Sequence, residues 1–354
     1  MHKKLFIPGP TEVREEIRKE MSRYSIGHRS KEYTDLHAQV AEKLKKLFYT
    51  KNHVLLSTSS GTGFMEAAIR SCVDKKVLHL VCGHFSEVWH DISVGNGKPN
   101  ELFKVKDSEG FTHDMVREKL ETGEFDTLCL THNETSTGVM NPLEEISKVM
   151  KDFPDVVFMV DTVSSMGGYK VEVDKLGIDV CLTSSQKCLA IPPGIAVGSV
   201  SEKALERAKK VQNKGYYFDI LRILKYHIKN QTMSTPAIPQ IYALNKEMDY
   251  MFEEGLDNRF QRHKDMAELT RKWALKNFEL FPKDGFRSQT LTVVTNTLGK
   301  SVAGLNEELG KRGMMISNGY GDLKEKTFRI AHMGDLQLAD MKELLDNIDE
   351  IWQL

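Results

Sequence analysis

The sequence predicts an α/β protein in which a mostly parallel sheet, clad in helices, is followed by a smaller α+β domain. Two observations lead to this. From about residue 30 to 250, short apolar runs alternate with helical patterns, and polar clusters follow the apolar runs. After about residue 255 the alternation gives way to one long charged helical stretch and a few mixed elements.

Tyr33, Leu36, Val40, Leu44 and Leu47 recur at spacings of three and four, one apolar stripe of a helix. HVLLSTSS (53–60) reads as a strand running into a polar turn, and GFMEAAIRS (63–71) as the helix after it. VLHLV (77–81), TLCLT (127–131), VVFMV (156–160) and DVCLTS (179–184) have the continuous apolar character of parallel strands buried on both faces. Repeated strand–helix units imply right-handed crossovers and an open sheet. Such sheets bind ligands at the carboxyl ends of their strands, where the polar clusters stand. Beyond residue 255, a charged helix (GLDNRFQRHKDMAELTRKWALKNF), a strand in SQTLTVVTN, a helix near 301–312, strands near GMMIS and TFRIAH, and a final helix ADMKELLDNIDEIW make up the second unit. The expected boundaries are 16–255 for the large domain and 256–354 for the small one. Segment 1–15 is expected to pack with the latter.

Hydrophobic residues at 40% and charged residues at 28% are the balance of an ordinary soluble protein. A net charge of −1 provides no basic field for nucleic acid or an anionic membrane. No apolar stretch approaches the roughly eighteen residues of a membrane span. Pro8, Gly9 and Pro10 interrupt the start before a signal sequence could form. A cytoplasmic protein is expected. An odd number of cysteines, five, without a secretory signal argues against a disulfide framework, and the absence of a CxxC pair argues against a structural zinc site. Cys82, Cys129 and Cys181 lie in apolar runs and read as buried small hydrophobes. His79, His84 and His90 are scattered without an HExxH pattern, so surface or core positions are the better reading than a metal centre.

Four strand-end clusters carry candidate chemistry. Ser59-Ser60-Gly61-Thr62-Gly63 opens a helix, where glycine lets the backbone approach an anion and free N–H groups bind it; a plain turn with a helix cap fits it equally well. Thr131-His132-Asn133-Glu134-Thr135-Ser136-Thr137-Gly138 is dense in hydroxyls, and by itself reads as a polar loop. Asp161, after VVFMV, is an acid at a buried strand end. It needs a cationic or hydrogen-bonding partner there, or else serves as a cap of the next turn. Lys187, in SSQKC, is a lysine just past an apolar strand. It reads either as a solvated charge or as an amine in a cleft, able to lose its proton and form a Schiff base. Pyridoxal-phosphate (PLP) sites need such a lysine, an acid for the ring nitrogen and a phosphate cradle, and all three stand at strand ends in this chain. Arg329, in TFRIAHMG, faces one side of a strand, as an ion-pair partner, a surface residue or a bidentate carboxylate binder.

Taken together, PGPTEV, GHRS, SSGTGFMEAA, THNETSTGVMNP, VDTVSSMGG, SSQKCLAIPPG, QTMSTPAIP and FRIAHMG resemble the class V aminotransferases of PLP fold type I, particularly the alanine–glyoxylate and serine–pyruvate enzymes. The match runs in family order through nearly the whole chain. It implies that Lys187 carries pyridoxal 5'-phosphate and shuttles the proton, and that Asp161 pairs with the ring nitrogen. Val163 and Phe85 would flank the ring. Ser60, Gly61, Thr62 and Gln186 would hold the phosphate, and Ser136 would lie near the ring hydroxyl. Thr235 would reach the phosphate of a neighbouring subunit in a homodimer. Arg329 would bind the substrate carboxylate, with Gly9 lining the same pocket. Two positions depart from the family. Phe85 stands where the animal enzymes have tryptophan, and Thr232 stands where they have a tyrosine that touches the partner's phosphate. The implied reaction moves an amino group from alanine or serine to glyoxylate or pyruvate. Relatives acting on 2-aminoethylphosphonate or ureidoglycine share the framework, and a non-catalytic PLP-fold binding protein is the reading from another class. A cysteine desulfurase would need a cysteine well downstream of the lysine, and none follows Cys188.

Overall fold

A computed structural model describes residues 2–354. Its larger sheet has seven strands in the order His53–Ser57, Ala196–Val200, Val180–Ser184, Val157–Asp161, Thr127–Thr131, Val77–Val81 and Asn100–Lys104. All run parallel except Ala196–Val200, which is antiparallel to both neighbours. The expected α/β architecture is therefore present. Its strands are buried on both faces because their residues alternate between two cores. Phe158 and Val160 pack with the helices Lys31–Phe48 and Ile238–Glu254 on one face. Val157 and Met159 pack with Gly61–Cys72, Glu202–Lys210 and Ile220–His227 on the other.

The apolar stripe of Lys31–Phe48 is buried as its spacing predicts, and Ser30 caps the helix by accepting the Tyr33 amide. Two strands of the sheet escaped the sequence reading. Asn100–Lys104 is an edge strand, partly exposed along its whole length. Ala196–Val200 contains Gly198, where a Cβ would sit 2.2 Å from the Phe64 ring. The glycine lets the Phe64 ring pack directly against the strand backbone, and it interrupts the β-branched signature a strand would show.

A second, five-stranded sheet has the order Lys4–Phe6, Met314–Asn318, Thr327–Ala331, Leu291–Thr295 and Glu279–Leu280. Lys4–Phe6 joins it in parallel, and the other pairings are antiparallel. Phe328 and Ile330 point into a core shared with Leu256–Asn277, Val302–Lys311 and Leu338–Trp352. The period-two alternation therefore turns Arg329 to the opposite face, where Ala331 packs beside Cys188. Among the described residues, no helix is long and apolar enough to cross a membrane.

Candidate active site

The carboxyl ends of the parallel strands converge on one cavity of about 120 Å³. Eight residues singled out in the sequence line it: Ser60, Gly61, Thr62, Phe85, Asp161, Val163, Gln186 and Lys187. Met65, Asn133, Thr135, Ser164 and Ser184 also line it; the sequence reading placed the last four in strand-end clusters but gave none of the five a role.

Lys187 enters from the turn after Val180–Ser184. Its Nζ donates to the Pro8 carbonyl, and the Thr11 hydroxyl donates to its backbone oxygen at 2.9 Å. The N-terminal segment thus runs directly along the lysine. Gly9 is essential to this approach: its φ is +113°, and a Cβ there would lie 2.7 Å from Lys187 Cδ. Burial pulls the Lys187 amine down to about 8, and the charge of Arg329 adds to the effect. Nζ stands 5.9 Å from the centroid of the Phe85 ring.

Asp161 ends the strand Val157–Asp161 and is almost fully buried. The Val163 amide donates to its Oδ1 at 2.7 Å. Among the described residues it has no ion-pair partner. Burial pushes its carboxyl up to about 7, against the pull of the Val163 amide, and the nearby Glu134 charge adds to the rise.

The helix Gly61–Cys72 begins at the cavity wall. The Ser60 side chain makes no capping bond, and the Gly61 and Thr62 amides have no backbone acceptor. A Cβ on Gly61 would lie 2.8 Å from Val163 Cγ2, so only glycine fits between helix and strand end. Facing this start, the buried Ser184 hydroxyl has no hydrogen-bond partner. Asn133 donates to Ser164 O at 2.9 Å and Thr290 Oγ1 at 2.8 Å, while its Oδ1 is left unpartnered.

Arg329 does not line the cavity but sits behind Thr135. Its Nε donates to Asn318 O at 2.9 Å and its Nη1 to Thr135 O at 3.1 Å. Two carbonyls orient the guanidinium, yet no carboxylate pairs with it among the described residues. Burial pulls its pKa down to about 10.

Three of the expected positions lie elsewhere. Ser136 faces a neighbouring cavity; its hydroxyl donates to Glu134 Oε1 at 2.7 Å and accepts the His84 amide at 3.0 Å. The residues of that loop that reach the main cavity are Asn133 and Thr135 instead. Thr232 and Thr235 share a separate groove with Thr58 and Tyr217, and the Thr232 hydroxyl donates to Ser234 O at 2.8 Å. Cys188 is buried, and burial pushes its thiol up to about 11, which leaves it a poor nucleophile. No group of three metal-ligating side chains gathers among the described residues.

Comparison with known proteins shows the family. The family model described as Aminotransferase class-V matches residues 7–321. An uncharacterized aminotransferase of Methanocaldococcus jannaschii is 42% identical over 350 residues, covering 97% of this chain and 90% of its own. A serine–glyoxylate aminotransferase of Methylorubrum extorquens is 31% identical, covering 94% of this chain and 86% of its own. The crystal structure of an alanine–glyoxylate aminotransferase from Nostoc sp. superposes with a TM-score of 0.93 at 27% identity, over 99% of this chain and 96% of that one. With the family model spanning most of the chain, and its strand ends delivering a lysine, an acid and a helix start with free amides to one cavity, this protein belongs to the class V aminotransferases.

Proposed function

We propose that this aminotransferase binds pyridoxal 5'-phosphate on Lys187 and moves an amino group from a small amino acid, alanine or serine, to glyoxylate or pyruvate. One observation carries the reading: a buried amine and a buried acid, neither ion-paired, line one cavity with a helix start whose amides lack acceptors. The residues present fit the cofactor. Asp161 suits a protonated ring nitrogen, a cation that would repay the burial of its charge. The Gly61 and Thr62 amides, with Ser60, Gln186 and the orphaned Ser184 hydroxyl, suit a phosphate. Val163 and Phe85 suit the two faces of a flat ring.

Bound there, the cofactor supplies an aldehyde for the amino group and an electron-poor ring that acidifies the α-carbon. Lys187 Nζ, with its pKa near 8, accepts the α-proton and returns it as general base and then acid. Asp161 stabilises positive charge at the ring nitrogen. Arg329 fixes the substrate carboxylate, and Gly9 keeps the lysine's path clear. In this reading residues 16–255 carry the cofactor site, while 256–354 together with 1–15 supply Arg329 and Gly9. A homodimer would complete the site: Thr235, exposed in its own groove beside Tyr217, would be free to hold the phosphate bound in a neighbouring subunit. Thr232 lies in the same groove but spends its hydroxyl on Ser234 O.

The test is direct. Incubation with pyridoxal 5'-phosphate should give a visible band that borohydride abolishes, with the reduced cofactor found on the Lys187 peptide. Lys187→Ala should give no adduct and no amino transfer. An adduct on another lysine, or undiminished turnover in the variant, would refute the assignment.

A further inference from the structure

We propose that Tyr320 is a specificity-determining residue, the wall that restricts the amino donor to small side chains and separates it from a solvent-open cleft on the other side of the ring. The proposal rests on the function argued above. Tyr320 follows the strand Met314–Asn318 through Gly319, where a Cβ would lie 2.0 Å from Leu323 O. The turn is too tight for any other residue, and the Gly319 amide donates to Thr327 O at 2.8 Å. The Tyr320 ring is thereby presented from a clamped loop rather than a loose one.

The ring packs on three neighbours. Its centroid lies 4.7 Å from that of His84 and 5.6 Å from that of Phe85. The Arg329 guanidinium carbon stands 5.3 Å from the same ring, a cation–π contact. Phe85 lines the main cavity beside Lys187, and Arg329 is the half-buried cation without an anion. Tyr320 does not itself line the main cavity; it backs Phe85 and Arg329, so a donor whose carboxylate reaches Arg329 comes against its ring. Each further methylene of the donor's side chain on that side has to displace a packed aromatic.

On its other side Tyr320 lines a solvent-open cleft of about 250 Å³ with His84, Glu87, Lys104, Asp107, Ser136 and Asp322. Lys104 is already paired with Glu87 at 3.3 Å. Asp107 and Asp322 have no cation partner among the described residues, so the cavity carries net negative charge. It suits the end of a neutral or basic side chain and disfavours a second carboxylate.

The experiment compares the loaded wild type with Tyr320→Ala, Tyr320→Val and Tyr320→Phe. Donors are alanine, serine, glutamine, arginine and glutamate, with glyoxylate as acceptor. The wild type should prefer alanine and serine. In Tyr320→Ala and Tyr320→Val, kcat/KM for glutamine and arginine relative to alanine should rise about tenfold or more, mainly through KM, with glutamate gaining least. Tyr320→Phe should retain the wild-type ratio. Binding of α-methylalanine and α-methylglutamine, which lack the α-proton and are not turned over, gives a readout independent of catalysis. The second should gain affinity in the Ala and Val variants alone. If either variant folds, takes up the cofactor and keeps wild-type preferences in both assays, Tyr320 is not the wall. A wild type that transfers no amino group at all overturns this inference and the proposed function together.

Discussion

Lys187 holds a different state from an ordinary surface lysine. Only the neutral amine attacks an aldehyde, and the buried Lys187 amine has its pKa near 8 rather than 10.5. Uptake of pyridoxal 5'-phosphate by the cofactor-free protein should therefore speed up about tenfold per pH unit below 8 and level off above it. Stopped-flow absorbance across this range checks the point; a rate still climbing tenfold per unit at pH 9.5 would mean an unshifted lysine. Lys187, Asp161 and Gly61 were legible in the sequence because each follows an apolar strand, where solvated residues have no obvious reason to cluster. Asn133, Thr135 and Ser184 were not. A hydroxyl or amide in a polar loop looks the same whether it faces solvent or a cavity, and only the convergence of separate strand ends separates the cases. Arg329 was legible as a residue but not in its direction, which the apolar packing of Phe328 and Ile330 decides.

Between elements, the charged helix Leu256–Asn277 holds a buried arginine that its sequence conceals. GLDNRFQRHKDM reads as solvent-facing charge, yet Arg259 and His263 lie on the buried stripe with Met266, Thr270 and Trp273. Arg259 donates to Gly167 O at 3.1 Å and Cys188 O at 3.0 Å. It also pairs with Glu254 and Asp335, each at 3.1 Å. Fully buried Glu247 stands 3.5 Å away, and burial pushes its carboxyl well above the usual range. Burial opposes ionisation of Asp335 too, but Arg259 and Arg14 outweigh it and hold that carboxyl at about 2. One side chain therefore joins the turn carrying Lys187, the loop after Thr327–Ala331 and two long helices. Arg259→Met leaves those acids and carbonyls without their shared donor. It should cost roughly 3–5 kcal/mol in a urea titration. A loss under about 1 kcal/mol would show that water or Arg262 replaces it.

Across the whole molecule, six buried histidines set the response to acid. Burial lowers His37 to about 4, and His79, His132, His227 and His332 to about 3. His263 is also pulled well below its ordinary value. In the unfolded chain each titrates near 6.5, so below that pH the unfolded state binds more protons than the folded one. Stability contributed by the neutral rings is full above pH 6.5 and is lost as pH falls toward 4. Asp161, between 3.8 and about 7 in the cofactor-free protein, and Glu247, whose carboxyl burial also raises, work in the opposite direction, but they are two groups against six. Melting temperature should thus fall steadily from pH 6.5 to 4, and a flat profile over that window would contradict the burial of these rings as neutral species.

The lone antiparallel strand of the larger sheet has a consequence for the order in which the molecule can be made. His53–Ser57, which leads into the Gly61 helix, lies at the edge of the sheet and pairs with Ala196–Val200 alone. The two are separated by well over a hundred residues, so a ribosome must deliver both Asp161 and Lys187 before the first strand has a partner. Until then its backbone groups stay open to other chains. The helix start with its free amides is encoded early and fixed in place late, and the segment that closes it is the one that follows the lysine.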